Sequence, residues 1–191
     1  GDTAILTGRS LRHITRSLDT IITTAIMPIA FMLLFVFVFG DALAAGGSTW
    51  SAEDDPELVR EALPFALKTM ESLAAEAPKH TGLRLALCRG YVGYAGGFLE
   101  PEAEAVESQS FERAKALRLR AERLYLRALG YCRQALDLGF KGVGEELDTA
   151  PDAALARVGK QTVETLYWTG VAWGSAVSLG LDHPERIAQL P

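Results

Sequence analysis

Asp54–Leu73, DDPELVREALPFALKTMESL, decides the fold class, because one stretch holds a helix start, a wide apolar stripe and an internal proline. Asp55 is placed to accept the orphan N–H groups of a first helical turn, Pro56 suits the first helical position, and Glu57 is favoured by the positive end of the helix dipole. Leu58, Ala62, Phe65, Thr69 and Leu73 recur at three- and four-residue spacing, with Leu63, Leu67 and Met70 widening the stripe. Glu57, Arg60, Glu61, Pro64, Lys68 and Glu71 fall opposite. Pro64 would cost about 3 kcal/mol in a regular helix interior, but on the wet face water satisfies the carbonyl it frees. The stretch predicts a kinked amphipathic helix whose Leu58–Phe65 seam faces a core.

Downstream, APKHTG (77–82) reads as a turn and a second helix is expected over Leu83–Leu99, carrying Gly90, Gly93, Gly96 and Gly97. Each glycine costs up to about 1 kcal/mol against alanine, so four together point to close approach of a neighbouring helix or a ligand. Glu100–Gln109, EPEAEAVESQ, reads as an acidic connector into the longest helix, Ser110–Leu138. The seam of that helix is Ala114, Leu117, Ala121, Leu124, Ala128, Tyr131 and Ala135, and its other face is basic, with Arg113, Lys115, Arg118, Arg120, Arg123, Arg127 and Arg133. The basic face reads as solvated and neutralised by the acidic connector, with docking of an acidic partner as the sharper alternative. Gly139–Asp152 reads as a break, followed by a short helix near Ala153–Val158, a helix over Val163–Leu181, and a restart at Asp182-His183-Pro184. No alternation of strand period appears, so the fold class is all-α: a TPR-like helical repeat domain over residues 55–191.

Residues 1–54 divide into a basic leader (1–19), an apolar helix (20–40) and a linker (41–54). Thr20–Gly40 contains 21 residues without a charge, about 30 Å of helix and therefore long enough to cross a bilayer. Arg9, Arg12 and Arg16 precede it and Asp41, Glu53, Asp54 and Asp55 follow. That asymmetry predicts a single span of the cytoplasmic membrane, N-terminus inside, with the helical domain in the periplasm. Ala42-Leu43-Ala44 offers a small-residue cleavage site, so a cleaved signal with a periplasmic product is the alternative.

ALPFALKTMESL (62–73) and YWTGVAWGSAVSL (167–179), with APKHTGLRLALCRGYVGYAGGF and ERAKALRLRAERLYLRALGYCRQALDLGF between them, resemble the T-component family associated with TRAP transporters over residues 50–191. The resemblance implies an all-helical, TPR-like protein outside the cytoplasmic membrane, working with a solute-binding protein in substrate uptake. Family members run on through further helices, so the resemblance implies a missing C-terminal half after Pro191 and an apolar face open to homo-oligomerisation. Members also begin with a lipoprotein signal, and this chain has no Cys before Cys88 to carry the acyl group. Residues 6–40 instead resemble the first transmembrane segment of drug-export ABC permeases. A fragment or fusion of such a permease with a helical passenger is therefore the alternative reading of function.

At 191 residues and 49 % hydrophobic content there is chain enough for one domain with a core after the leader. The formal net charge of −5 argues against nucleic acid as a partner. Cys88 and Cys132 read as buried thiols, and export to an oxidising compartment permits a bond between them. His13, His80 and His183 lie far apart, and no metal, P-loop or nucleophile motif occurs, so no metal, cofactor or catalytic residue is assigned and the chain reads as non-enzymatic. The candidate ligand or partner site is the set in which glycines open space beside aromatic side chains: Gly90, Gly93, Tyr94, Gly97, Phe98, Tyr125, Tyr131, Tyr167, Trp168 and Trp173. It is expected at the face between the glycine-rich and Trp-bearing helices.

Overall fold

The computed structural model describes residues 53–180. The expected leader, membrane span, linker and terminal helix lie outside this range, apart from the last linker residues. Among the described residues every regular element is helical, and no helix is long and apolar enough to cross a membrane.

Helix α1 is Pro56–Glu76, and Asp55 starts it as its sequence predicts: the carboxylate accepts from the N–H groups of Glu57 and Leu58, both at 3.1 Å. Helix α2, Thr81–Tyr94, is capped by His80, whose Nδ1 accepts from the Leu83 N–H at 3.1 Å. A π turn, Ala95–Leu99, carries α2 directly into α3, Glu100–Glu107. The expected acidic connector is thus a continuation of the helical rod, since Glu and Ala are good helix formers and the wide turn brings Pro101 to the start of α3. Helix α4, Phe111–Gly139, is the longest and begins at Ser110, whose Oγ accepts from the Arg113 N–H.

The expected break after Gly139 contains two short helices, α5 (Val143–Thr149) and α6 (Pro151–Arg157). Gly142 supplies the left-handed backbone at φ 81° that turns the chain into α5. Asp137 of α4 then accepts from the Gly144 N–H at 2.8 Å, so α5 is started by a residue of the preceding helix. A 3₁₀ turn, Lys160–Thr162, leads into α7, Val163–Leu179.

α4 is the hub, packing on α2, α3 and α7, while α1 packs on α2. Leu67, Leu83, Leu87, Leu99, Cys88 and Cys132 are enclosed in the main core, and Leu136, Val143 and Ala154 centre a smaller cluster under α5 and α6. The face that α1 buries is not the seam expected from Leu58 and Phe65. Its buried line is Leu63, Leu67, Met70 and Ala74, whereas Leu58 is 54 % exposed and Phe65 78 %. The cause lies on α2: a Cβ at Gly90 would stand 2.5 Å from Leu67 Cδ2, so the missing side chain makes the slot that seats Leu67. Of two apolar faces, α1 uses the one its neighbour has room for.

Cys88 and Cys132 are fully buried, as expected, and joined in a disulfide between α2 and α4, with Cα atoms 5.2 Å apart and 44 residues between them in sequence.

Candidate functional site

Two arrangements of polar and aromatic groups flank α4. The first is a clasp around Glu71. Tyr91 and Tyr131 donate to its Oε1 at 2.8 and 3.0 Å, Lys68 bonds the other oxygen, and the Arg127 guanidinium stands 3.2 Å away. The two tyrosine rings lie nearly parallel with centroids 6.2 Å apart, and Arg127 also sits over the Tyr91 ring at 5.6 Å. Burial alone would push the Glu71 carboxyl up; hydrogen bonds from Lys68, Tyr91 and Tyr131 and the charge of Arg127 outweigh it and hold the group below the usual glutamate range. The same contacts work in reverse on the phenols, since burial and the adjacent carboxylate push Tyr91 and Tyr131 up. Glu71 is therefore ionised and its tyrosines neutral near pH 7. Each of these polar atoms has a partner, so the clasp ties α1, α2 and α4 together.

The second arrangement is a cleft of about 400 Å³ between α4, α5 and α7, lined by Leu126, Leu129, Arg133, Asp148, Trp173, Ala176 and Val177. Its volume falls within the roughly 300–1,000 Å³ of small-molecule sites. Arg133 Nη2 donates to Asp148 Oδ1 at 2.6 Å, while Arg133 Nε is enclosed without a hydrogen-bond partner among the described residues. Leu126 and Trp173 remain 37 % and 36 % exposed. The cleft thus combines apolar side chains with one charged pair in its lining. Among the described residues no group of His, Cys, Asp and Glu is arranged to hold a metal ion.

Of the ten residues singled out in the sequence, Trp173 lines this cleft. Gly90 serves helix packing against Leu67. Gly93 and Gly97 are exposed, with nothing within 4 Å of where a Cβ would stand. Tyr94 and Phe98 pack ring against ring at 5.7 Å, and Arg120 lies over Tyr94. Tyr125 is buried and donates to Glu100, and Tyr131 belongs to the clasp. Tyr167 is 62 % exposed and meets Trp168 edge to face, while Arg89 sits over Trp168 and bonds Glu164 at 2.9 Å.

Sequence reasoning missed the other cleft residues. Leu126 and Leu129 fall beside the expected α4 seam, and Arg133 and Asp148 read there as parts of a basic face and a loop. Ala176 and Val177, three and four residues after Trp173, carried the usable signal. Much of the basic face is neutralised as expected, with Arg113 bonding Glu102 at 2.8 Å and Arg118 bonding Glu107 at 2.7 Å; Glu71 and Asp148 take up Arg127 and Arg133.

A family model described as TRAP transporter T-component matches residues 52–191. A protein of Treponema pallidum (strain Nichols), itself described as uncharacterized, is 34 % identical over 134 residues, which is 68 % of this chain and 42 % of the relative. The chain therefore spans less than half the length of that relative. Helical throughout its described residues, and matched from the linker before α1 to its last residue, the chain belongs to the TRAP transporter T-component family.

Proposed function

We propose that the chain is an extracytoplasmic accessory component of a TRAP-type solute uptake system. Its helices form a TPR-like stack that engages a solute-binding protein and receives a small apolar ligand. Antiparallel packing of α1 on α2, and of the α2–α3 rod on α4, where Cys88 meets Cys132, Glu100 meets Tyr125 and Glu107 meets Arg118, supports the stacked reading. The buried Cys88–Cys132 bond supports a location outside the cytoplasm, because disulfides persist in oxidising compartments. Residues 20–40 supply the tether to the cytoplasmic membrane. The observation that carries the binding role is the Trp173 cleft, which combines apolar side chains and one charged pair with a volume suited to a small molecule. Co-purification of the tagged full chain with the solute-binding protein of its own uptake system tests the assignment. A stoichiometric complex is expected; absence of association at micromolar concentrations removes the accessory role.

A further inference from the structure

α1 is apolar on two faces, and its neighbour covers one. Leu63, Leu67, Met70 and Ala74 face α2, while Leu58 and Phe65, seven residues apart and so on one side of the helix, point away at 54 % and 78 % exposure. Ala62 lies between them, half-buried, and Thr69 continues the line one turn on, its hydroxyl donating to the Phe65 carbonyl. A helix apolar on opposite sides is built to be sandwiched. Single exposed leucines are ordinary, but a phenylalanine this exposed, aligned with a leucine on a rigid helix, forms a ridge.

The charges around the ridge select what covers it. Glu53, Asp54, Asp55, Glu57 and Glu61 are all exposed at its N-terminal end. The nearby cation, Arg60, is committed to Glu102 and lies 3.9 Å from Glu57. Lys68, at the other end, is held by Glu71. The ridge is therefore apolar at its centre and acidic at its rim. A second copy related by two-fold symmetry would set these carboxylates against themselves, and an anionic lipid surface would repel them.

We infer that the Leu58–Phe65 ridge of α1 is the docking surface for the solute-binding protein, which presents an apolar pocket rimmed by lysine or arginine. The inference rests on the proposed accessory role. Phe65 is the anchor, and the carboxylates set approach and register.

The test uses the full chain in neutral phosphatidylcholine nanodiscs and the purified solute-binding protein of its own system, with affinity and association rate measured at two salt concentrations. Phe65→Ser is expected to weaken binding by about 30-fold or more, as for a buried aromatic anchor, with an unchanged circular dichroism spectrum because the side chain is exposed. Glu61→Lys should slow association and flatten its salt dependence. Phe111→Ser, another exposed aromatic at the start of α4 and outside the candidate site, should bind as wild type. If wild type binds and Phe65→Ser binds equally well, the ridge is not the surface, though the accessory role stands; equal loss in Phe111→Ser overturns it too. If wild type does not bind, the accessory role fails first. A Phe65→Ser chain that keeps its partner but sediments as a smaller species assigns the ridge to self-association and overturns the inference.

Discussion

Toward α1, α2 and α3, α4 presents Tyr131 to Glu71, Cys132 to a disulfide and Tyr125 to Glu100. Toward α5 and α7 it presents Leu126, Leu129 and Arg133 to a cleft of about 400 Å³. On the first side the polar groups are matched by protein partners and Gly90 lets Leu67 fill the contact. On the second, a guanidinium nitrogen is enclosed without a partner among the described residues and a tryptophan stands partly open. Interiors ordinarily satisfy their polar groups and close their voids. Where one side of a helix does so and the other does not, rigidity belongs to the first, and the second is the side to which we assign the proposed ligand.

The largest effect should come from the closed side. Replacing both cysteines, Cys88→Ala with Cys132→Ala, removes a link across 44 residues, and chain-entropy reasoning puts the cost at about 4 kcal/mol. Urea unfolding followed by circular dichroism should show the midpoint fall accordingly. A double variant within about 1 kcal/mol of wild type would mean that packing alone fixes α2 on α4, and the contrast between the sides would lose its main support.

A smaller effect separates two glycines three residues apart. Gly90→Ala places a methyl against the buried Leu67 side chain and should destabilise by about 1–3 kcal/mol. Gly93→Ala meets open space in a helix and should stabilise by about 0.5–1 kcal/mol. Opposite signs in thermal unfolding sharpen the comparison. Equal losses would show that the Gly93 surface is also a closed contact.

The smallest change in stability is expected on the open side. Val177→Trp fills the cleft and should alter stability by no more than about 0.5 kcal/mol. The fluorescence enhancement of the neutral apolar probe N-phenyl-1-naphthylamine, measured against wild type in identical nanodiscs, should nevertheless fall sharply. Unchanged enhancement would remove the cleft as the ligand site.

Much of the helical plan is legible in the sequence because its signals are local. Asp55 with Pro56 marks the start of α1, Ser110 the start of α4, and the seven-residue spacing of Ala114, Ala121, Ala128 and Ala135 the buried side of α4. What escaped depends on neighbours. Nothing within α1 says which apolar face is used, since the slot for Leu67 is cut in α2 by Gly90. The start of α5 depends on a carboxylate from α4. The disulfide depends on Cys88 and Cys132 lying level on two antiparallel helices, which spacing along the chain does not encode. The cleft draws on three helices, each contributing residues that look unremarkable in its own segment, and the family resemblance placed the chain in a system without marking a pocket.

The π turn at Ala95–Leu99 has a geometric consequence for everything beyond it. Such a turn holds one residue more than a regular helix would, and each residue advances an α-helix by about 100°. α3 is thereby rotated about the common axis relative to α2, like a gear offset by one tooth. At the offset setting, Glu102 meets both Arg60 and Arg113 while Glu107 meets Arg118. With the extra residue gone, the rod would run on as an unbroken α-helix and those carboxylates would swing away from all three arginines. The spacing between the glycine-bearing and acidic segments therefore tolerates substitution far better than it tolerates a change in length.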